Sequence, residues 1–247
     1  MSPLRAVTFD FWQTLVAEAP GHMRAMQLER WETSLADAGQ HRSSEEIEAA
    51  FAANWERFEE RWHTNTGPYT PGDAVEFVTT HLDISPVDGL HEGLLEHFRI
   101  VGETAELRVA PGLEGCLVAL RAAGLRLGIV CDVGLTSSPT LRARLDGFGL
   151  LSYFDAWSFS DETGWFKPAP EAFRPVLDAF GVDPADAAHV GDNARTDIAG
   201  AKALGMIAVQ YLGLATDPPR YPSQRPSPLA DHVIDDLGTL PKVLGIA

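Results

Sequence analysis

The sequence predicts an α/β fold, in which a Rossmann-like parallel sheet core carries an inserted all-helical cap subdomain. Two observations support this fold class. After residue 110, short apolar runs alternate with stretches of helical periodicity, a pattern typical of βαβ units and a parallel sheet. Before residue 110, a single apolar strand is followed by a long helical stretch. The 247 residues suffice to bury a substantial core.

The first strand is predicted over residues 4 to 10, where an apolar run follows Pro3 and ends at Asp10. Its continuous apolar character indicates burial on both faces, as in a parallel sheet. The strand therefore delivers one carboxylate to the loop that follows, and this loop carries Trp12 and Thr14.

Residues 20 to 108 show helical patterns and no convincing strand. Leu28, Trp31 and Leu35 repeat at helical spacing. Ser43 and Glu46 form a capping-box pattern before a second helix, and two more helices are predicted over 72 to 82 and 86 to 106. We therefore expect an α/β core over 1–18 and 109–247 and a helical subdomain inserted over 19–108.

The second half of the chain supplies the remaining strands and their connecting helices. Strands are predicted over 125–131, 156–160, 187–191, 206–211 and near Val233. Helices are predicted from Leu113 to about Gly124, from about Ser137 to Phe148, over 170–180 and over 196–204. The prolines between 215 and 230 predict an irregular surface loop.

Composition limits the classes of function. The formal charge of −16 argues against nucleic acid or an anionic membrane as a partner, and favours a small-molecule substrate. Cys116 and Cys131 sit in apolar stretches, no signal peptide precedes Asp10, and no apolar run is long enough to span a membrane. We expect a cytoplasmic protein; its oligomeric state is left open.

Polar residues follow four of the predicted strands. Asp10 follows the first, Cys131 and Asp132 the second, Lys167 lies in the loop after the third, and Asp192 and Asn193 follow the fourth. In an open parallel sheet the carboxyl ends of the strands meet at one edge. Carboxylate oxygens suit magnesium as ligands. A lysine beside them would hold a nucleophilic carboxylate and a phosphate together.

The order of these residues resembles the haloacid dehalogenase superfamily. Four motifs carry the resemblance, and it spans essentially the whole chain: Asp10-Phe11-Trp12-Gln13-Thr14-Leu15, Cys131 at the end of the second strand, Lys167-Pro168-Ala169-Pro170, and Gly191-Asp192-Asn193 with Asp197. The resemblance implies a hydrolase whose helical cap, inserted between the first and second motifs, closes over the site and selects the substrate.

The resemblance also implies roles for individual residues. Asp10 would be the nucleophile, Thr14 would orient it, and Lys167 would neutralise it together with the bound anion. Mg²⁺ would be the cofactor, and its ligands would be a carboxylate oxygen of Asp10, the backbone carbonyl of Trp12, and Asp192. Asp197 would support the metal through water or by holding Lys167.

The resemblance also implies which residues contact the substrate. The backbone amides of Asp132 and Val133, after Cys131, would cradle a phosphate. Trp12 and Asn193 complete the expected substrate contacts.

Two positions depart from the pattern of the family's phosphatases. Most of them carry a second Asp where Trp12 stands, and this Asp protonates the leaving oxygen and then activates water; tryptophan can do neither. The loss of a general acid costs about two to four orders of magnitude in rate. Cys131 replaces the usual Ser or Thr and is a poorer donor, and we expect it to be an inert core residue. Asp132 is a candidate substitute acid.

Three functions are compatible with this sequence. The first is a magnesium-dependent hydrolase of a small phosphorylated metabolite. The second is a dehalogenase-like enzyme, in which halide leaves without a proton, although that branch usually has Ser or Asn at the position of Asp192. The third is a catalytically impaired relative that binds a ligand.

Overall fold

A computed structural model describes residues 4–216 and 221–246 of the chain. Its core is a six-stranded sheet with the order β5-β4-β1-β6-β7-β8, in which every described pairing is parallel. With a separate pair of short strands, β2 and β3, the strands are β1 (Ala6–Phe9), β2 (Val16–Glu18), β3 (Leu107–Val109), β4 (Arg126–Cys131), β5 (Ala156–Phe159), β6 (Ala187–Gly191), β7 (Ile207–Tyr211) and β8 (His232–Ile234).

Register explains why polar residues gather at one edge of this sheet. Strand β1 lies between β4 and β6, with Phe9 opposite Ile129 on one side and Val190 on the other. Because these neighbours run parallel, the residues that follow the three strands emerge at the same edge. Asp10 is therefore brought beside the segments that carry Asp132 and Asp192.

Helices connect and cover the strands. They are α1 (His22–Asp37), α2 (Ser44–Thr64), α3 (Pro71–His81), α4 (Leu90–Thr104), α5 (Leu113–Ala122), α6 (Ser138–Gly147), α7 (Ser160–Thr163), α8 (Pro170–Phe180), α9 (Ala199–Leu204) and α10 (Leu240–Val243). Helix α8 buries Phe173 and Val176 in a core cluster with Val130 of β4 and Ala208 of β7. The predicted α/β class, a Rossmann-like sheet with an inserted helical segment, is confirmed.

The chain divides into two compact units. One comprises Met1–Ala17, Leu107–Asp132 and Leu145–Ala247, and the other comprises Glu18–Glu106 and Val133–Arg144. The second unit has its own core, in which Trp31, Leu35 and Ile47 are fully buried. Helix α2 begins with the predicted capping box, since the Ser43 side chain accepts from the Glu46 N–H and the Glu46 carboxylate accepts from the Ser43 N–H.

Three local features differ from the prediction. Strands β2 and β3 pair in a small sheet, and β3 begins at Leu107 in a stretch predicted to lack strands. Three residues are too few to produce a readable alternation of polar and apolar side chains. The helix predicted over 196–204 begins instead with a π-helical turn, Ala194–Ile198.

The third difference lies within the proline-rich stretch, whose described residues are otherwise irregular and mostly exposed, as predicted. It contains a 3₁₀ turn, Pro222–Gln224, in which Gln224 is buried, while Pro218 and Pro219 lie outside the described residues.

Among the helices that the structure describes, none is long and apolar enough to cross a membrane.

Candidate active site

Asp10 stands at the carboxyl end of β1 in a tightly turned loop. Its N–H donates to the Val190 carbonyl of β6 at 2.8 Å, and the residue is 6% exposed. The loop turns through Gln13, which adopts a left-handed conformation (φ +58°), while Phe11 accepts from the amides of Leu15 and Val16. The half-buried Trp12 ring packs edge-on against Phe11, with ring centroids 5.1 Å apart. An indole at this position brings no carboxylate to the loop.

Lys167 joins two carboxylates in the buried interior. Its Nζ lies 2.5 Å from Asp10 Oδ1 and 2.7 Å from Asp197 Oδ1, and the residue is 2% exposed. Burial alone would lower the pKa of this ammonium, but Asp10 and then Asp197 raise it well above its usual value. The lysine therefore stays charged and draws the two acidic side chains together.

Asp197 is aimed at Lys167 by the π-helical turn. The amides of Asp197 and Ile198 both donate to the Asn193 carbonyl, at 2.9 and 3.3 Å, which widens the turn. Gly191 makes room for this side chain, since a Cβ at Gly191 would lie 2.2 Å from the Asp197 carboxyl carbon. The end of β6 and the turn after it therefore accommodate and orient the Asp197 carboxylate.

The Asp197 carboxylate accepts three hydrogen bonds. Oδ1 receives Lys167 Nζ and His189 Nε2, the latter at 3.1 Å, and Oδ2 receives the Asn193 N–H at 3.0 Å. Burial would raise the pKa of Asp197, but the Lys167 ammonium and the His189 hydrogen bond lower it below its usual value. Asp197 is an ionised scaffold carboxylate with its oxygens engaged.

His189 is a buried polar residue inside β6, and the sequence interpretation missed it. Its Nε2 faces Asp197 and its Nδ1 lies 2.8 Å from Thr8 Oγ1. Burial lowers the pKa of His189, so the ring is neutral, and an ionised carboxylate can only accept. The proton therefore sits on Nε2, and the Thr8 hydroxyl donates to Nδ1. A histidine within an otherwise apolar strand was the signal that could have identified it.

Asp192 follows β6 directly and is also buried. Its Oδ2 accepts from Gln224 Nε2 at 2.6 Å. Burial and the nearby Asp197 carboxylate raise the pKa of Asp192 to about 7. Burial likewise raises the pKa of Asp10, and although Lys167 opposes this, Asp197 and Asp192 add to it, so that it lies well above its usual value.

With all three carboxylates ionised, the site would carry an excess of negative charge, which is why the pKa values of Asp10 and Asp192 are raised. Asp10, Asp192 and Asp197 each offer an oxygen within 4.8 Å of the others, while one ammonium, that of Lys167, lies among them. A divalent cation would neutralise the two remaining negative charges, and hard carboxylate oxygens are ligands that magnesium prefers. The donor set and the charge both fit Mg²⁺.

Other predicted residues occupy different environments. Thr14 is fully buried, and among the described residues its hydroxyl has no hydrogen-bond partner; that it orients Asp10 stays a prediction. Burial, followed by the Asp10 carboxylate, raises the pKa of Cys131 well above its usual value, which keeps the thiol protonated. Asn193 Oδ1 accepts from the Arg195 N–H at 3.0 Å and thereby caps the π-helical turn.

In the loop after β4, Asp132 belongs to the first compact unit and Val133 to the second. Asp132 Oδ1 accepts from the backbone N–H of Lys167 at 3.0 Å, so this carboxylate is turned toward the loop that carries the lysine. Val133 groups with the second compact unit, and its part in holding a phosphate stays a prediction.

A parallel sheet with a buried aspartate, lysine and acidic cluster at its carboxyl edge is the arrangement that the four sequence motifs predicted. A family model described as haloacid dehalogenase-like hydrolase matches residues 4–205. The chain belongs to this haloacid dehalogenase-like hydrolase family, as its four motifs predicted.

Individual relatives agree with this family. A ribulose-1,5-bisphosphate 5-phosphatase from Halopiger xanaduensis is 30% identical over 76% of this chain and 72% of its own length. A glyceraldehyde 3-phosphate phosphatase from Pyrococcus abyssi is 39% identical over 43% of this chain and 44% of its own. The chain spans about half the length of several such curated relatives.

The fold has a close counterpart among solved structures. The crystal structure of a phosphatase of the same superfamily from Thermococcus onnurineus is 27% identical, with a TM-score of 0.63 over 98% of this chain and 99% of that chain.

Proposed function

We propose that the protein is a magnesium-dependent phosphatase of a small phosphorylated metabolite, with Asp10 as its nucleophile. The observation that carries this proposal is the buried cluster in which Lys167 joins Asp10 to Asp197 beside Asp192. Two relatives, phosphatases of glyceraldehyde 3-phosphate and ribulose 1,5-bisphosphate, support hydrolysis of a small phosphorylated metabolite, although both of these substrates are alkyl phosphates. We further propose a catalytic core over 1–18 and 109–247 and a cap over 19–108 that selects the substrate.

The side chains divide the work of the first step. Asp10 attacks phosphorus, so that an oxygen–phosphorus bond forms as the bond to the leaving oxygen breaks, and water later hydrolyses the aspartyl phosphate. Lys167 offsets the charge of Asp10 and of the incoming phosphate. A magnesium ion held by Asp10, Asp192 and the Trp12 carbonyl would supply the remaining positive charge. Asp197, with its oxygens already engaged, holds Lys167 in place.

The leaving oxygen needs a proton, and position 12 cannot supply one. Asp132 was the candidate substitute, but one of its oxygens is held by the Lys167 N–H. We therefore propose that the substrate has a good leaving group, such as an acyl or aryl phosphate, or supplies its own proton. General acid catalysis is worth roughly 10²–10⁴ in rate, so the dependence on leaving group should be steep.

A substrate panel tests this proposal. Acyl, aryl and alkyl phosphates are assayed for phosphate release with Mg²⁺ and with EDTA, using the wild type, Asp10→Asn and the control Asp178→Asn, which changes an exposed residue of α8. We expect Mg²⁺-dependent turnover that favours acyl and aryl phosphates, is lost in Asp10→Asn and is kept in the control. Efficient hydrolysis of alkyl phosphates would contradict the leaving-group proposal, and unimpaired turnover by Asp10→Asn would exclude the nucleophile.

Trp12 also favours a second candidate, displacement of halide from carbon, because halide leaves without a proton. Haloacids assayed with EDTA extend the panel, and turnover there would favour this function. The buried Asp192 carboxylate argues against it, because a negative charge near Asp10 disfavours the ionised nucleophile unless a cation is bound. If neither class is turned over and Asp10 forms no beryllofluoride adduct, the protein is a ligand-binding relative.

A further inference from the structure

The 3₁₀ turn at Pro222–Gln224 brings an amide to the acidic cluster. Gln224 is 8% exposed, and its Nε2 donates to Asp192 Oδ2 at 2.6 Å while its Oε1 accepts from the Tyr221 N–H at 3.0 Å. A backbone N–H can only donate, so the Tyr221 N–H must face Gln224 Oε1, and this fixes the orientation of the amide. Gln224 therefore presents its donor end to Asp192.

A second buried amide fastens the same turn beside Asp192. Gln210 of β7 is fully buried; its Nε2 donates to the carbonyls of Asp192 at 2.9 Å and Arg225 at 3.0 Å, and its Oε1 accepts from the Ser227 N–H at 2.7 Å. Residues 221–227, which we call the glutamine strap, are thus hydrogen-bonded to the Asp192 side chain through Gln224, and Gln210 of β7 links them to the Asp192 backbone. This arrangement places the strap at the site, where the sequence predicted a surface loop.

The hydrogen bond from Gln224 distinguishes the two oxygens of Asp192. Oδ2 accepts from the Gln224 amide, whereas no other side chain among the described residues donates a hydrogen bond to Oδ1. A carboxylate fixed in this way offers one oxygen in a set direction and need not be ordered when a metal binds. Partners that orient metal ligands typically contribute a factor of 10–100 to metal affinity.

We propose that Gln224 is a positioning residue for the metal site, which fixes the Asp192 carboxylate so that Oδ1 is offered to Mg²⁺. The proposal rests on the proposed function, since it requires Asp192 to be a metal ligand. Gln224 acts through Asp192 and contacts neither the nucleophile nor the lysine in any described hydrogen bond. The role belongs to the strap, far along the chain from the four motifs.

Two substitutions remove the hydrogen bond in different ways. Gln224→Met keeps the length of the side chain without its polar atoms, and Gln224→Asn keeps an amide that is one methylene too short to reach Asp192. Ser223→Ala, in the same turn, is the control. Mg²⁺ affinity is measured by isothermal titration calorimetry, and folding is checked by thermal unfolding in EDTA.

We expect both Gln224 variants to bind Mg²⁺ about 10–100-fold more weakly than the wild type and Ser223→Ala to match it. Raising Mg²⁺ to saturation should restore phosphate release, because the ligand itself is still present. Mg²⁺ affinity within about twofold of the wild type in folded Gln224→Asn or Gln224→Met would overturn the positioning role and leave the proposed function standing. Failure of the wild type to bind Mg²⁺ would overturn both.

Discussion

Removing the positive charge of Lys167 should destabilise the fold strongly, and more so at higher pH. Lys167→Met keeps the length of the side chain but leaves the Asp10 and Asp197 carboxylates without the ammonium that lies 2.5 and 2.7 Å from them. Both acids are at least nine-tenths buried, so little water replaces the lost partner. Removing one member of a buried ion pair costs about 3–5 kcal/mol, and we expect a loss of that size at neutral pH.

The pH dependence follows from the carboxylates that are left behind. Lys167 lowers the pKa of both Asp10 and Asp197, so its removal raises both pKa values in the folded state, and that of Asp10, already well above its usual value, moves further above its value in the unfolded chain. The folded variant then binds more protons than the unfolded one, and its stability falls as pH rises, by about 1.4 kcal/mol per pH unit for each extra proton. In the wild type the raised pKa of Lys167 keeps it charged throughout this range.

Urea unfolding followed by circular dichroism at pH 5.5 and pH 8, in EDTA, measures the effect. Lys202→Met is the matched control, because Lys202 pairs with Asp231 at 2.8 Å while their side chains are 39% and 37% exposed. A pair this exposed is worth about 0–1 kcal/mol, so the control should lose little at either pH. A loss below about 1 kcal/mol in Lys167→Met, or one equal at both pH values, would refute the reasoning.

Two other predictions concern a buried hydroxyl and two buried thiols. Thr14→Val replaces a buried hydroxyl that has no hydrogen-bond partner among the described residues, so thermal unfolding should show unchanged or slightly higher stability; a loss above about 1 kcal/mol would show a hidden partner. Burial raises the pKa of Cys116 to about 12 and that of Cys131 well above its usual value, so at pH 8 a thiol reagent should label both cysteines in urea and neither in the native protein. Rapid labelling of the native protein would contradict the burial of these thiols.

The strand ends could be predicted from sequence because they depend on local patterns. The apolar run before Asp10 and the run before Asp192 each end where the strand ends, and parallel neighbours must end at one edge. The structure accordingly brings Asp10, Lys167, Asp192 and Asp197 together. Their catalytic roles remain the proposal made above.

Features that depend on contacts between distant segments could not be predicted in this way. Gln224 meets Asp192 across 32 positions of the chain, and its proline-rich surroundings carry no periodicity that points inward. The π-helical turn before α9 also escapes prediction, because a pattern of apolar residues does not distinguish an i→i+5 turn from an ordinary helix start.

The three aspartates show why motif positions alone do not assign roles. Asp197 accepts from Lys167, His189 and the Asn193 N–H, and its pKa is lowered; Asp192 accepts from Gln224, and its pKa is raised to about 7. A carboxylate that accepts from a charged ammonium and two further donors is already neutralised by the protein, whereas one whose donors are all neutral still requires a cation to stay ionised. The donors around each acid therefore favour Asp192 as a metal ligand and Asp197 as the support for Lys167.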